Sequence, residues 1–141
     1  MRTRQAGESA LLLLDAVDVL ARVGIRYAVI GAMAAAVHGV VRALSDPFGN
    51  RVDLLFGLRG LHAEAFARAV PIPFQGGELR VASGEDCIAM KLFPDGPQDR
   101  LDAQHPRAAA AGSVDSRLLQ EIASGYGPET VAAWDRLRAG S

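Results

Sequence analysis

The sequence predicts an α/β or α+β domain: a mixed β-sheet of about four strands flanked by helices, with a helical extension at the C-terminal end. Three observations predict it. Apolar residues recur at helical spacing near the start, short β-rich runs bounded by glycine or proline follow, and capped helical patterns fill the last third. A chain of 141 residues suits a single domain, residues 1–141, that can bury a core of its own.

The composition is that of an ordinary folded protein. Half of the residues are hydrophobic, 22% are charged and the formal net charge is −1, which argues against a disordered chain and against non-specific binding to a nucleic-acid backbone. The single cysteine, Cys87, fits a reducing compartment. The run LLLL at 11–14 is followed at once by Asp15, far short of the roughly 20 apolar residues of a spanning helix. We therefore expect a cytoplasmic protein without a membrane segment.

The first helix is predicted between Glu8 and Val23, after a polar start at 1–7 that we expect to be flexible. Polar residues at positions 8, 15, 18 and 22 share one side of this helix. The opposite side is predicted to be buried and contains Leu12, Leu13, Ala16, Val17, Leu20 and Val23. Gly24 then stands where a helix C-terminal glycine is expected.

The middle of the chain predicts strands alternating with helices. RYAVIG at 26–31 predicts a strand, AMAAAVHG at 32–39 a short helix, and RVDLLF at 51–56 a second strand. A helix over 61–70 is followed by Pro71 and Pro73, and a hairpin is predicted from IPFQ to LRVA around Gly76 and Gly77.

The last third predicts helices with clear caps. Ser83 is the expected N-cap of a helix over 83–93. The C-terminal helices are predicted within 107–138: Asp115 begins one that ends at Tyr126-Gly127, and Pro128 lies in the first turn of the last. In that last helix Val131, Trp134 and Leu137 recur every three residues, which predicts a buried side.

Two stretches could carry chemistry. IGAMAAAVHG places Gly31 between a predicted strand and a predicted helix, where free backbone N–H groups and the helix dipole favour an anion, although a plain turn glycine before a tightly packed helix explains it equally. RALSDPFGNRVDLL places Asp46 and Asp53 on either side of a turn-rich insert. Asp53 shares a strand face with Arg51, so it is either half of a strand-edge ion pair or a Mg²⁺ ligand.

These stretches, in this order, resemble a known family. YAVIGAMAAAVHGVVRALSD…VDLL is similar to the opening of minimal nucleotidyltransferase-fold proteins, including the AbiEii-type toxins, and VASGEDCIAMKL and QDRLDA resemble the family's later elements. The residues that match in type and order are Gly31, His38, Gly39, Arg42, Ala43, Asp46, Asp53, Leu54, Glu85, Asp86, Lys91, Leu92, Asp99 and Asp102. The resemblance covers about residues 10 to 137, and here PFGNRV separates the two acids that the family carries one residue apart.

The resemblance implies a Mg²⁺-dependent transfer of a nucleoside monophosphate from an NTP, with ATP the expected nucleotide, to a hydroxyl of a protein or RNA acceptor. Asp46 and Asp53 would be the catalytic residues and would hold the metal. Gly31 and Ala32 would bind the triphosphate, and Arg42 and Lys91 would neutralise it. An antitoxin-type partner protein is implied as well.

Alternatives remain open for these assignments. Arg42 could pair with Asp46 instead of a phosphate, and Lys91 could be an exposed helix lysine. A rival function is a catalytically inactive member of the same fold that serves as a nucleotide-binding or protein-interaction module. The separation of the Asp46 and Asp53 carboxylates distinguishes the two functions, because one Mg²⁺ bridges acids about 4–5 Å apart but not acids much farther apart.

Overall fold

The computed structural model describes residues 1–30, 40–57, 61–93 and 114–140. Over those ranges it contains five helices and two small antiparallel sheets of two strands each, which confirms the α+β class. The predicted strand at 26–31 is reduced to one parallel bridge between Val29 and Val81. The described strands therefore do not join into one four-stranded sheet. The predicted helix at 32–39 lies outside the described residues.

Helix α1 spans Ser9–Arg22, as its apolar period predicts. Its buried residues are Leu12, Leu14, Ala16 and Val17, so the buried stripe differs from the predicted one. Leu14 is 1% exposed, whereas Val23, predicted to be buried, is 62% exposed because the helix has already ended there. Gly24 has φ +73°, the left-handed conformation expected after a helix C-terminus.

The N-terminal segment 1–8 is tied to the rest of the protein, in contrast to the flexible start that we expected. Asn50, 2% exposed, donates from Nδ2 to the Gln5 carbonyl oxygen at 2.7 Å and accepts from the Glu8 backbone N–H at 2.6 Å. Thr3 is completely buried. Arg2 forms ion pairs with Asp15 at 2.9 Å and Asp18 at 2.6 Å, both on α1.

Strands β1, Val40–Ser45, and β2, Arg51–Phe56, form an antiparallel hairpin. Only β2 was predicted, because the stretch VVRALS has neither alternating polarity nor turn residues that mark a strand. The register places Val40 opposite Phe56 and Ala43 opposite Asp53. Residues of β2 contact α1, so α1 partly covers the hairpin.

Helix α2 spans Ala63–Arg68 and leads into a second hairpin of β3, Val70–Phe74, and β4, Gly77–Val81. This hairpin was predicted. Its turn residues Gln75 and Gly76 both have positive φ, +46° and +76°, as a two-residue hairpin turn of type I′ requires. Pro71 and Pro73 have no N–H to donate to a neighbouring strand, and among the described strands β3 pairs only with β4, as suits a strand that contains prolines.

Three helices form the main core: α3, Gly84–Leu92, α4, Ser116–Tyr126, and α5, Pro128–Ala139. All three were predicted, and so were the Ser83 cap and the helix start at Asp115. The side chains of Ser83 and Asp115 both accept hydrogen bonds from first-turn N–H groups. The buried cluster consists of Ile88, Ala89, Leu92, Leu119, Ile122, Ala123, Ala133, Trp134 and Leu137. Within the described ranges no helix combines the length and the apolar character needed to cross a membrane.

Candidate functional site

Asp46, the first predicted metal ligand, lies in the turn of the β1–β2 hairpin and has its carboxylate occupied by that turn. Oδ1 accepts from the backbone N–H groups of Phe48 and Asn50, each at 2.9 Å, and Oδ2 accepts from Asn50 Nδ2 at 2.8 Å. Although desolvation raises the pKa of Asp46, the hydrogen bonds from Asn50 and Phe48 outweigh it and leave that pKa below its usual value. Asp46 is therefore an ionised turn residue.

Asp53, the second predicted ligand, is paired within its own strand. Arg51 Nε lies 2.8 Å from Asp53 Oδ1, and both side chains are exposed. This contact is the strand-edge ion pair that the sequence left open as an alternative. A metal ion at Asp53 would have to displace a guanidinium or share the carboxylate with it.

The two predicted ligands stand at different levels of the hairpin. Asp53 is opposite Ala43, and Asp46 is three positions beyond Ala43 along the chain, one residue after the end of β1. At roughly 3.4 Å per residue, the backbones of the two aspartates are about 10 Å apart along the hairpin.

The predicted phosphate-binding residues do not gather around Asp53 either. Arg42 is opposite Leu54, one register position from Asp53, so Arg42 and Asp53 are on opposite faces of the hairpin. Lys91 is 9% exposed and belongs to the buried side of α3, which corrects the alternative of an exposed helix lysine. Gly31 and Ala32 lie outside the described residues.

The donor set at the hairpin therefore does not fit Mg²⁺. The ion prefers an octahedral shell of oxygens at about 2.0–2.1 Å and usually one or two carboxylates that are free to face it. Asp46 is committed to three hydrogen bonds, and Asp53 is paired with a cation. Across the described ranges no group of three or more His, Cys, Asp or Glu side chains could hold a metal ion.

A second candidate site, which sequence reasoning missed, is a cavity of 260 Å³ between α2, α3 and α4. We call it the α2–α4 cavity; its polar lining consists of His62, Glu64, Arg68, Asp86, Glu121 and Tyr126. The only local sequence signal for this site is the pair of acids after Ser83, Glu85 and Asp86, which places negative charge in the first turn of the helix over 83–93. Nothing in the local pattern of AEAFAR or of SGYG indicates that these segments meet, since up to 64 residues separate them.

The wall of the cavity is built around a buried ion pair. Arg68, from the end of α2, donates from Nε to Asp86 Oδ2 at 2.8 Å and from Nη2 to Asp86 Oδ1 at 2.6 Å. Asp86 is 1% exposed, and Ser83 Oγ donates to its Oδ2 at 2.6 Å while capping α3. The hydrogen bonds to Asp86 raise the pKa of Arg68 above its ordinary value. The bidentate geometry fixes α2 against the first turn of α3.

Tyr126 closes the other side of the cavity at the end of α4. Burial, followed by the charge of Asp86, raises the pKa of its phenol far above the ordinary value, so Tyr126 stays protonated. Its ring packs against Phe93 with the centroids 5.4 Å apart. The enclosed hydroxyl has no hydrogen-bond partner among the described residues.

His62 and Gly125 form the rim of the cavity. His62 Nε2 is 3.1 Å from the Gly125 carbonyl oxygen. A Cβ at position 125 would lie 2.7 Å from His62 Nε2, so the glycine allows the imidazole to approach the end of α4. His62 is exposed, and nothing in the sequence indicated its contact with α4.

No protein-family model matches the chain, and no curated protein matches it. The resemblance to minimal nucleotidyltransferase-fold proteins rests on the motifs of the sequence and their order, and it stays a prediction. What the protein does therefore has to be inferred from its own residues and their geometry.

Proposed function

We propose that this protein is a non-catalytic module of the nucleotidyltransferase-like type, which binds a nucleotide or a partner protein and does not carry out metal-dependent transfer. The observation that carries the proposal is the state of the two acids. The Asp46 carboxylate accepts three hydrogen bonds inside the hairpin turn, and the Asp53 carboxylate is paired with Arg51. A two-acid metal site needs both carboxylates free and on one side.

A partner protein, of the antitoxin type or another, is the occupant that the described surface favours. Val40 and Phe56 are direct cross-strand partners on the hairpin, and they are 50% and 48% exposed. Phe48 at the tip is 41% exposed. Large apolar side chains gathered on an exposed ribbon are more typical of a protein contact than of a nucleotide site, where backbone and cationic donors dominate.

A transfer assay tests the proposal. The protein is incubated with Mg²⁺ and each of the four α-labelled NTPs, first alone and then with total RNA or a protein extract as acceptor. We expect no more label in any acceptor with the wild type than with Asp53→Asn. The matched control is Asp18→Asn, since Asp18 is another exposed carboxylate in a surface ion pair, with Arg2 at 2.6 Å.

ATP binding is measured in parallel by calorimetric titration. The module is expected to bind ATP with the same affinity in the wild type and Asp53→Asn, with or without Mg²⁺, or not to bind it at all. Label transfer that requires Mg²⁺, disappears in Asp53→Asn and persists in Asp18→Asn would overturn the proposal.

That last result would favour the second candidate, a Mg²⁺-dependent nucleotidyltransferase acting from ATP on a protein or RNA hydroxyl. Its support is the order of the sequence motifs, from the glycine at 31 through Arg42 and Asp53 to Lys91. For Asp46 to join such a site, the hairpin turn would have to release its carboxylate from Asn50 and Phe48. Transferase activity would therefore depend on a rearranged turn.

A further inference from the structure

Residues 1–8, which we call the strap, connect α1 to the tip of the β1–β2 hairpin through polar contacts. Thr3 is the one buried residue of the eight, and the others are exposed or half-buried. Little apolar surface therefore holds the strap in place. A segment of this kind opens locally at a lower free energy than the unfolding of the whole protein.

Arg2 fastens the first end of the strap to α1. Its backbone N–H donates to Asp15 Oδ2 at 2.7 Å, and its guanidinium lies 2.9 Å from Asp15 Oδ1 and 2.6 Å from Asp18 Oδ2. The Arg2 side chain is 41% exposed, so water screens both ion pairs. The strap can therefore detach at Arg2 without any change in the buried core.

Asn50 fastens the other end of the strap to the hairpin. Its side-chain amide donates from Nδ2 both to the Gln5 carbonyl oxygen at 2.7 Å and to Asp46 Oδ2 at 2.8 Å. The amide group is planar and rigid, so a movement at one of these bonds changes the geometry of the other. Because Asn50 is 2% exposed, water has little access to replace a lost acceptor. This side chain therefore joins the strap to the hairpin turn.

The Asp46 carboxylate extends the connection into the tip of the hairpin. Its Oδ1 accepts from the backbone N–H groups of Phe48 and Asn50, each at 2.9 Å, while its Oδ2 accepts from the Asn50 amide. The carboxylate is a rigid group, so the bonds to both turn N–H groups depend on where Asn50 holds it. Phe48, the exposed apolar residue of the tip, is therefore connected to the strap through two side chains.

We propose that the strap and the hairpin tip open and close as one unit, with Arg2 as the fastening of the strap and Asn50 as the residue that couples the two. A closed strap holds Phe48 in the fixed arrangement that the hairpin presents to a partner protein, and an open strap loosens it. The strap is in this way a regulatory element of the hairpin surface. The inference rests on the proposed function, in which that surface contacts a partner.

Solvent exchange of single amide protons, followed by NMR on the full chain, tests the coupling from the side of the strap. Arg2→Ala releases the strap, and Arg4→Ala is the matched control, because it removes the same charge from the same segment at an exposed side chain. In Arg2→Ala we expect about fivefold faster exchange of the Gln5 and Phe48 backbone N–H groups. The signal of the Asn50 side-chain amide should shift as well. Arg4→Ala should match the wild type at all three positions.

A second pair of variants tests the coupling from the side of the hairpin, since coupling between two sites is reciprocal. Asp46→Asn places an amide NH₂ group where Oδ2 accepts from Asn50, so two donors face each other and that bond is lost. We expect about fivefold faster exchange of the Gln5 N–H. Asp53→Asn makes the same chemical change on the same hairpin, at an exposed side chain, and should leave the exchange of Gln5 unchanged. The N–H of Leu119, in the main core, should exchange as in the wild type in all four variants, which separates local opening from global unfolding.

The proposal is overturned if Arg2→Ala speeds the exchange of the Gln5 N–H and leaves that of Phe48 unchanged, because the strap would then open alone. It is equally overturned if Arg2→Ala behaves like Arg4→Ala, or if the Gln5 N–H exchanges as slowly in Asp46→Asn as in the wild type. Failure of the proposed function has a different signature, which is Mg²⁺-dependent label transfer that requires Asp53. None of the exchange rates depends on that outcome.

Discussion

The hydrogen bonds of Asn50 make a strong prediction about stability. Asn50→Ala removes two donated bonds, to the Gln5 carbonyl at 2.7 Å and to Asp46 at 2.8 Å, and one accepted bond, from the Glu8 N–H at 2.6 Å. A hydrogen bond of this kind contributes about 1 kcal/mol net, and the site is buried, so we expect a loss of about 3 kcal/mol in the free energy of unfolding. Water that reaches the freed groups would reduce the loss.

Urea unfolding with linear extrapolation measures the change, and hydrogen exchange of residues 1–8 locates it. The N-terminal segment should exchange faster in Asn50→Ala, because its two backbone contacts to Asn50 are gone. Asn50→Asp should destabilise the protein at least as much at neutral pH, since it places a second carboxylate against Asp46.

Ser124→Ala is the control variant. It removes one exposed hydrogen bond, from Ser124 Oγ to the Gln120 carbonyl, and should change the free energy of unfolding by less than about 0.5 kcal/mol. A loss below about 0.5 kcal/mol in Asn50→Ala, with unchanged exchange of residues 1–8, would refute the role of Asn50 as the anchor of that segment.

Three further predictions concern Asp46, the buried ion pair and the core. Because the pKa of Asp46 is lowered in the folded state, its ionised carboxylate stabilises the fold fully above the unfolded-state pKa of about 3.9. This stabilisation disappears as the pH falls through the lower folded-state pKa. The free energy of unfolding, measured between pH 2 and 6, should therefore depend less on pH in Asp46→Asn than in the wild type. Asp86→Ala leaves the Arg68 guanidinium unpaired and should cost about 3 kcal/mol in urea unfolding, whereas a cost no larger than that of Ser124→Ala would contradict the pair. Trp134→Ala opens a large cavity in the three-helix core and should lower the free energy of unfolding by about 3–5 kcal/mol. A thermal unfolding midpoint within about 2 °C of the wild-type value would contradict the central position of Trp134 in the core.

The parts of the fold that the sequence predicts are those set by local chemistry. Ser83, Asp115 and Pro128 mark helix starts by hydrogen bonding or by fixed backbone geometry, and the structure has helices beginning there. The β3–β4 hairpin likewise follows from its glycine-rich turn. These signals act over a few residues, so they can be interpreted without knowing the tertiary structure.

The parts that were missed depend on contacts between distant residues. β1 forms because VVRALS pairs with β2, and not because its own pattern is typical of a strand. Segment 1–8 is held by Asn50, about 45 residues away along the chain, and Arg68 meets Asp86 only once α2 and α3 have packed. A single sequence contains no local signal for such pairs.

The candidate site illustrates the same limit. Two acids in the expected order suggest a metal pair, and the sequence cannot tell whether the insert brings them together. The register of the hairpin decides their separation, and the partner of each acid, Asn50 for Asp46 and Arg51 for Asp53, decides its availability. The separation of the two acids and their availability both depend on the backbone geometry of the hairpin, which one extra or missing residue in the turn would change.

The most direct test of the central claim, that Asp46 and Asp53 do not share a metal ion, is a titration with Mn²⁺ followed by NMR. Mn²⁺ prefers the same oxygen ligands as Mg²⁺ and broadens the signals of nearby amides. The geometry predicts no saturable broadening centred on residues 46–53 and no difference between the wild type and Asp53→Asn. Saturable broadening at both Asp46 and Asp53 that Asp53→Asn abolishes, and that Asp18→Asn leaves intact, would contradict the claim.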